Sequence, residues 1–401
     1  MNQWQILLGD VRETLATLPT GSVQCCVTSP PYWGLRDYGA EGQLGLEPTP
    51  DAYVANMVGV FLEVRRVLKD DGTLWLNLGD SYAGSSQQGK NNLADSVHST
   101  RGGAKKIDAE TFDIPRAVPA GMKPKDLVGI PWMVAFALRA DGWYLRSDII
   151  WHKPNPMPES VTDRPTKAHE YLFLLTKSAR YYYDAAAIAE ECTPHMQRRA
   201  AAGHTRGANG KIDGSRQDAA TLRGEHAKAL DVSGRNKRSV WTVATQPYSG
   251  AHFATFPEAL IEPCILAGTS EKGQCPACGQ AWERVTERTA SEYGVNPEQG
   301  RRDVAKSGGA LSGGTEKCTL GHGGKFVGVV STVGWQPTCD CNAGDPVSQT
   351  VLDPFNGSGT TGAVSVRHQR NYIGCELNPA YIELARTRIG SVAPMFAREV
   401  A

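Results

Sequence analysis

The apolar positions of this chain recur in two rhythms, and most of its organisation follows from where each rhythm runs. Residues 4–9 form a short apolar stretch ending in Gly9-Asp10, the pattern of a strand, and residues 11–18 have the spacing of an amphipathic helix. Val23, Cys25 and Val27 mark a second strand over 23–28. Over 52–68, Val54, Met57, Val58, Phe61, Leu62 and Val67 fall at helical intervals, with Asp51 as the expected N-cap. Asp71-Gly72 then turns the chain into a strand over 74–78, and a helix over 125–140 precedes strands over 145–151 and 171–176. Pro154, Pro156, Pro158 and Pro165 fill the link between those last two strands. A connection of about 20 residues without helical rhythm permits an antiparallel pair at a sheet edge. Beyond residue 251 a loop leads into a helix carrying Phe256, Leu260, Ile261, Ile265 and Leu266, with Pro257 early, where a first-turn proline is tolerated. A strand over 350–353, a glycine-rich turn, a helix to 368, a strand over 371–376 and a helix over 379–389 close the chain. Strand and helix alternate, which predicts an α/β protein with a largely parallel sheet.

Three stretches break the alternation. Residues 81–122 are rich in Gly, Ser, Asn and Gln and read as a long mobile loop. Ten Lys and Arg stand against four Asp and Glu (Asp213, Asp218, Glu225, Asp231) between 198 and 238, a surplus of six. That surplus suits contact with phosphates, and a solvated loop is the plainer alternative. Residues 271–346 hold five of the ten cysteines.

Composition narrows the class. A chain of 401 residues accommodates one large α/β domain with insertions, or two domains. With 42 basic and 42 acidic residues the formal charge is zero, so any nucleic-acid contact depends on local patches. No apolar run approaches the roughly 18 residues of a membrane helix, and MNQWQILLGD lacks the basic and apolar regions of a signal peptide. The expectation is a soluble, cytoplasmic protein without a membrane partner. Ten cysteines are too sparse here for a disulfide scaffold, and their local pairing fits metal better.

The strand over 23–28 stops at Thr28-Ser29-Pro30-Pro31 and is followed by Tyr32 and Trp33. Prolines lack an N–H, so Pro30 and Pro31 offer only carbonyl acceptors, and the Ser29 hydroxyl can also accept. Rigid acceptors beside a ring suit a flat heterocycle bearing an amino group; a Pro-Pro turn closing a strand is the structural alternative. Thr28-Ser29-Pro30-Pro31-Tyr32, with the lead-in Gly9-Asp10, Leu18-Pro19 and Ser22-Val23, resembles the catalytic motif of DNA methyltransferases that modify cytosine N4 or adenine N6.

A second motif tests that resemblance. In Asp353-Pro354-Phe355-Asn356-Gly357-Ser358-Gly359-Thr360-Thr361-Gly362, glycines let backbone N–H groups approach a ligand ahead of a helix N-terminus. It has no Lys-Ser/Thr ending, which argues against a Walker-type phosphate loop, and although Gly357, Gly359 and Gly362 have the G-x-G-x-x-G form, Asp353-Pro354-Phe355 before them is foreign to the dinucleotide pattern. Glu376 ends the next strand, where an acid accepts hydrogen bonds from ribose hydroxyls. This pair of motifs is similar to the S-adenosylmethionine loop and ribose strand of the same amino-methyltransferases.

The order, catalytic motif first and cofactor loop last, matches the β arrangement of that family. The resemblance implies a circularly permuted, doubly wound S-adenosylmethionine-dependent methyltransferase fold. Its sheet would be seven-stranded and mostly parallel, the last strand antiparallel, the first two strands coming from the C-terminal end of the chain. It divides the chain into a catalytic half (1–195), a basic DNA-contact segment (196–240), a cofactor half (241–270 and 347–401) and a Cys-rich, zinc-ribbon-like insert (271–346). It further implies that Asp10, Asp353, Phe355, Gly357, Ser358, Gly359, Thr360, Thr361 and Glu376 bind S-adenosyl-L-methionine, Asp10 through the adenine amino group. The region from His252 to Pro257 would close over the methionine carboxylate. Ser29, Pro30, Pro31 and Tyr32 would hold a base flipped out of double-stranded DNA, with Tyr32 stacking on it and Trp33 assigned to the core or to DNA. A neutral Ser29 after Val27-Thr28 resembles the cytosine-N4 version, with adenine N6 as the alternative. No nuclease-like domain is evident, which suggests a solitary modification enzyme, and dimers are common in the resembling group.

Cys275-Pro276-Ala277-Cys278-Gly279 has the form of a zinc-knuckle turn, and Cys339-Asp340-Cys341 offers a second pair, for a structural Zn2+ site. Cys318 with His322 competes for the second half, and free buried thiols are the plain alternative. Cys25, Cys26, Cys192, Cys264 and Cys375 stand in apolar or mixed contexts and are assigned to the core. Two further readings stay open: a methyltransferase acting on protein or RNA, and a non-catalytic zinc-containing DNA-binding protein.

Overall fold

The computed structural model describes residues 2–84, 118–192, 234–246, 255–292, 326–392 and 397–400, with 205–206 and 228–229, positions 36, 38 and 120 excepted. Its elements begin with β1 (Asn2–Leu8), α1 (Val11–Ala16), β2 (Val23–Thr28), α2 (Pro50–Val67), β3 (Leu68–Leu78), α3 (Ile130–Ala140), β4 (Tyr144–His152) and β5 (His169–Thr176). Next come β6 (Thr205–Arg206), β7 (Lys228–Ala229), β8 (Val240–Thr242), α4 (Glu258–Gly268), β9 (Trp282–Glu292) and β10 (Phe326–Pro337). The last are β11 (Thr350–Asp353), α5 (Thr360–Arg367), β12 (Asn371–Glu376), α6 (Pro379–Val392) and β13 (Ala397–Glu399). Met1–Ala187, Arg238–Trp282 and Pro337–Ala401 form one compact unit, and Ile188–Lys237 with Glu283–Gln336 a second. Outside the main sheet, β6 pairs with β7 and β9 with β10. Most of the basic stretch, together with His252, Cys318 and His322, lies outside the described residues. No helix among the described residues is long and apolar enough to cross a membrane.

The main sheet runs β13-β1-β12-β11-β2-β3-β5-β4-β8. Every pairing is parallel except those of β5, which is antiparallel to both β3 and β4. The seven strands from β1 to β4 form the doubly wound sheet expected from the motifs, and β13 and β8 extend it to nine. The antiparallel pair therefore stands one strand in from the edge, which β8 occupies. Strand β2 is buried along its whole length, as a central parallel strand covered on both faces must be. Its alternate residues mark the two layers. Cys26 joins the core of α1, α2 and α3, while Cys25 faces the Cys264 carbonyl on α4.

Helix boundaries differ from the periodic pattern where a cap intervenes. Helix α2 is capped by Thr49, not Asp51: its hydroxyl accepts from Ala52 N at 3.2 Å, and Pro50 fills the first turn. Helix α3 starts at Ile130 rather than 125, because residues 125–128 are held by Ser81 and Ala83 through backbone bonds of 2.8–2.9 Å. The Asp80 carboxylate then accepts from Gly129 N and Ile130 N at the helix start. Strand β3 extends back to Leu68, and Val23 pairs with it there.

Candidate active site at the strand ends

Strand order reverses between β2 and β11, because β2 leads through α2 to β3 on one side and β11 leads through α5 to β12 on the other. In open α/β sheets the crevice outside the carboxyl ends at such a switch point is the ligand site. Leu352 is in register with Cys26, so the two loops that carry the sequence motifs leave the sheet side by side. A buried bond ties them: Thr28 Oγ1 donates to Asp353 Oδ1 at 2.7 Å. Asp353 is 1% exposed and also accepts from Thr361 Oγ1 at 2.7 Å and Phe355 N at 3.1 Å. Burial nevertheless pushes its carboxyl up to about 6, against the pull of those donors.

Gly357 and Gly359 take positive φ values of 51° and 76°, conformations that suit glycine, and α5 begins directly after them. The hydroxyls of this turn are already engaged. Ser358 and Thr360 accept from Arg388, and Thr361 donates to Asp353. The glycine N–H groups are engaged as well, Gly357 N by the Glu376 carboxylate and Gly359 N by the Asn356 carbonyl at 2.9 Å. Glu376, at the end of β12, accepts from Gly357 N at 2.8 Å and Asn378 N at 2.9 Å. Burial raises its carboxyl to about 7. Leu8 is in register with Glu376, so Asp10 follows on the same rim. There Asp10 caps α1 and pairs with Arg12 at 2.8 Å, which holds its carboxyl below the usual range. Phe355 is half-buried against the core. Phe256 and Pro257, with Glu258 and Arg388, line a cavity of about 380 Å3.

On the β2 side the Tyr53 hydroxyl donates to the Pro31 carbonyl at 2.9 Å, which fixes the proline corner, while Ser29 and Tyr32 remain partly exposed. The Tyr32 ring lies over Gly79, where an added Cβ would come within 2.5 Å of a ring carbon. Its hydroxyl meets Glu170 Oε2 at 2.7 Å, Asn77 Oδ1 at 3.1 Å and Ser29 Oγ at 3.4 Å. Lys153 Nζ closes the group by pairing with Glu170 Oε1. Burial and the neighbouring Glu170 carboxylate push the Tyr32 hydroxyl well above its ordinary range, so it stays protonated. Trp33 is buried, with Nε1 donating to the Glu47 carbonyl at 2.8 Å, and belongs to the core.

Asn77, Lys153 and Glu170 escaped the sequence motifs. Glu170 is near the rim because β5 runs against its neighbours, which brings its first residues to the carboxyl ends of β3 and β4. The available signal was a charged residue opening a run of wholly buried ones, Leu172 to Thr176.

The described cysteines fall into two sets. Cys25, Cys26, Cys192, Cys264 and Cys375 are buried, and burial pushes Cys25 and Cys375 up to about 12, which leaves them unreactive thiols. Cys275, Cys278, Cys339 and Cys341 come together, with all four sulfur atoms within 4.8 Å of one another. A tetrahedral zinc thiolate site needs sulfurs roughly 3.8 Å apart. Lys69 at the start of β3 steadies the knuckle by donating to the Gly279 carbonyl at 2.5 Å.

A family model for DNA methylases of the N6 and N4 type matches residues 23–275 and 342–387. The interval it skips covers most of the cysteine-rich stretch. Type II methyltransferase M.Cfr9I of Citrobacter freundii is 38% identical over 390 residues, 97% of this chain and 88% of that protein. Type II methyltransferase M.XycI of Xanthomonas campestris pv. cyanopsidis is 39% identical over 381 residues, 95% of this chain and 86% of that one. Among solved structures, the cytosine-N4-specific PvuII DNA methyltransferase aligns over 97% of this chain and 86% of its own at 15% identity, with a TM-score of 0.50, a likeness of fold.

Proposed function

Since the chain belongs to the DNA methylase family that acts on exocyclic amino groups, we propose that it methylates N4 of a cytosine flipped out of double-stranded DNA, using S-adenosylmethionine. The observation that carries this reading is the Thr28–Asp353 bond, which locks the serine-proline corner and the glycine turn to one crevice. When bound, S-adenosylmethionine supplies an electrophilic methyl group. The chain's own residues supply the rest. The lone pair of an exocyclic amine is delocalised into its ring, so the nitrogen must be drawn towards tetrahedral geometry before it can attack. Ser29 Oγ and the Pro30 carbonyl accept its two N–H bonds and favour the positive charge that grows there. Tyr32 stacks on the base. No covalent enzyme intermediate is required, in keeping with the buried, unreactive thiols. Cytosine is favoured over adenine by the neutral Ser29 following Val27-Thr28.

The donor set suits the cofactor. The glycine turn would meet the methionine end, Glu376 keeps lone pairs for ribose hydroxyls beside its bonds from Gly357 N and Asn378 N, and Asp10 would stand on the adenine side. Because ribose hydroxyls donate to Glu376, binding favours its ionised form, while burial holds its carboxyl near 7 in the free protein. Affinity for S-adenosylmethionine is therefore expected to fall about tenfold per pH unit below that value and level off above it. Calorimetry in buffers of different ionisation enthalpy should show proton release, and Glu376→Gln should bind weakly with no pH slope.

Cys275, Cys278, Cys339 and Cys341 would hold a structural zinc ion, joining the two ends of the excursion that contains β9 and β10. About one zinc per chain is expected by elemental analysis, and a strong chelator should lower Tm by roughly 5 °C or more. Full retention of Tm in metal-free protein would remove the assignment.

The activity itself is tested by modification-sensitive single-molecule sequencing of plasmid DNA from cells that express the chain. N4-methylcytosine in one sequence context is the expected result. N6-methyladenine would overturn the choice of base, and unmodified DNA the whole reading.

A further inference from the structure

We infer that Glu170, held by Lys153, is a positioning residue that sets the direction of the hydrogen bonds reaching Ser29 and so leaves the Ser29 oxygen free to accept from the target amine. The inference rests on the proposed amino-methyltransferase reading and adds to it a residue outside both motifs.

The argument follows from which groups can donate. Both oxygens of the Glu170 carboxylate are acceptors. Oε1 is taken by the Lys153 ammonium, which also lies 4.3 Å from the centre of the Trp151 ring and is only 19% exposed. Oε2 is 2.7 Å from the Tyr32 hydroxyl. The Asn77 side chain is oriented by the Tyr171 carbonyl, which receives Nδ2 at 3.0 Å, so Asn77 turns its own oxygen, a second acceptor, towards Tyr32 at 3.1 Å. Tyr32 has one proton and two acceptors that draw it away from Ser29. The carboxylate is charged and closer, and a bond of that kind is the stronger. The Tyr32 oxygen then meets Ser29 as an acceptor, so the Ser29 proton points at Tyr32 and its lone pairs point outward. Turned the other way, Ser29 would present its proton to an amine that also needs to donate.

Glu170→Gln preserves shape and reverses this order. Lys153 holds the amide oxygen on its own side, which places the amide NH2 against Tyr32 as a donor. The Tyr32 proton is then released towards Asn77 or Ser29, and Ser29 loses its fixed role. The expected result is a kcat about tenfold lower, with the dissociation constant for S-adenosylmethionine within about twofold of wild type. In a Tyr32→Phe background the link to Ser29 is absent, and Glu170→Gln should cost less than about twofold. A merely structural role for Glu170 would cost the same in both backgrounds. Equal costs, or an unchanged kcat in Glu170→Gln, overturn the inference. If Glu170→Gln does not fold, Glu170→Ala provides a second route. Acetate, which only accepts, should restore activity and acetamide should not; equal effects of the two overturn the inference. A wild-type protein that methylates no DNA sinks the underlying reading instead, so the two failures are distinguishable.

Discussion

Ser29→Ala is expected to lower kcat for DNA methylation by roughly 100- to 1,000-fold, the usual cost of deleting one preorganised group at a developing charge. The residue follows β2 directly, two positions before the Pro31 carbonyl that Tyr53 fixes, and it is partly exposed. Its removal leaves the fold intact, since its hydroxyl meets only Tyr32 among the described residues, at 3.4 Å, and Tyr32 keeps its shorter bond to Glu170. Tm and S-adenosylmethionine binding should therefore stay close to wild type while single-turnover transfer of labelled methyl slows. A loss below about fivefold would mean that the Pro30 carbonyl alone polarises the amine.

Asp353→Ala has the largest expected effect on stability. The side chain is buried and satisfies Thr28 Oγ1, Thr361 Oγ1 and Phe355 N, so alanine strands three donors between β2 and β11. A cost of roughly 3–5 kcal/mol is expected from buried donors left without partners, read as a shift in the urea midpoint. Asp353→Asn keeps one acceptor oxygen and should lose less. The pH response has a definite sign. The folded carboxyl titrates at about 6, above its ordinary 3.8, so the folded chain holds this proton more tightly than the unfolded chain. Its contribution is full below about 4 and is lost as pH rises through about 6. Removing the carboxyl should flatten that part of the stability profile, and an unchanged slope in Asp353→Asn would place the titration on another group.

The residues that sequence alone made legible are those whose signal is local. A run of apolar residues followed by Ser-Pro-Pro-Tyr located the end of β2, and the span 23–28 coincides with the strand observed. The strand over 371–376 coincides equally well, because Glu376 and Asn378 punctuate it. Glycines 357 and 359 announced a turn that needs positive φ. Two short cysteine spacings announced a cluster of four, although the pairs are about 60 residues apart.

Capping was harder, since Thr49 and Asp51 are both competent and only the path of the chain into α2 decides between them. The start of α3 was decided at a distance, by a carboxylate from Asp80. Glu170 and Asn77 lie outside both motifs, and the charged residue that opens the apolar run of β5 gave no hint of its partners. Their importance comes from a strand that runs backwards between two others, and from a tyrosine 138 positions away from Glu170. Periodicity, caps and turns are short-range preferences of the backbone and can be read along the chain. Which acceptor faces which hydroxyl depends on strand order and direction, settled only when the sheet assembles and buried polar groups must find partners.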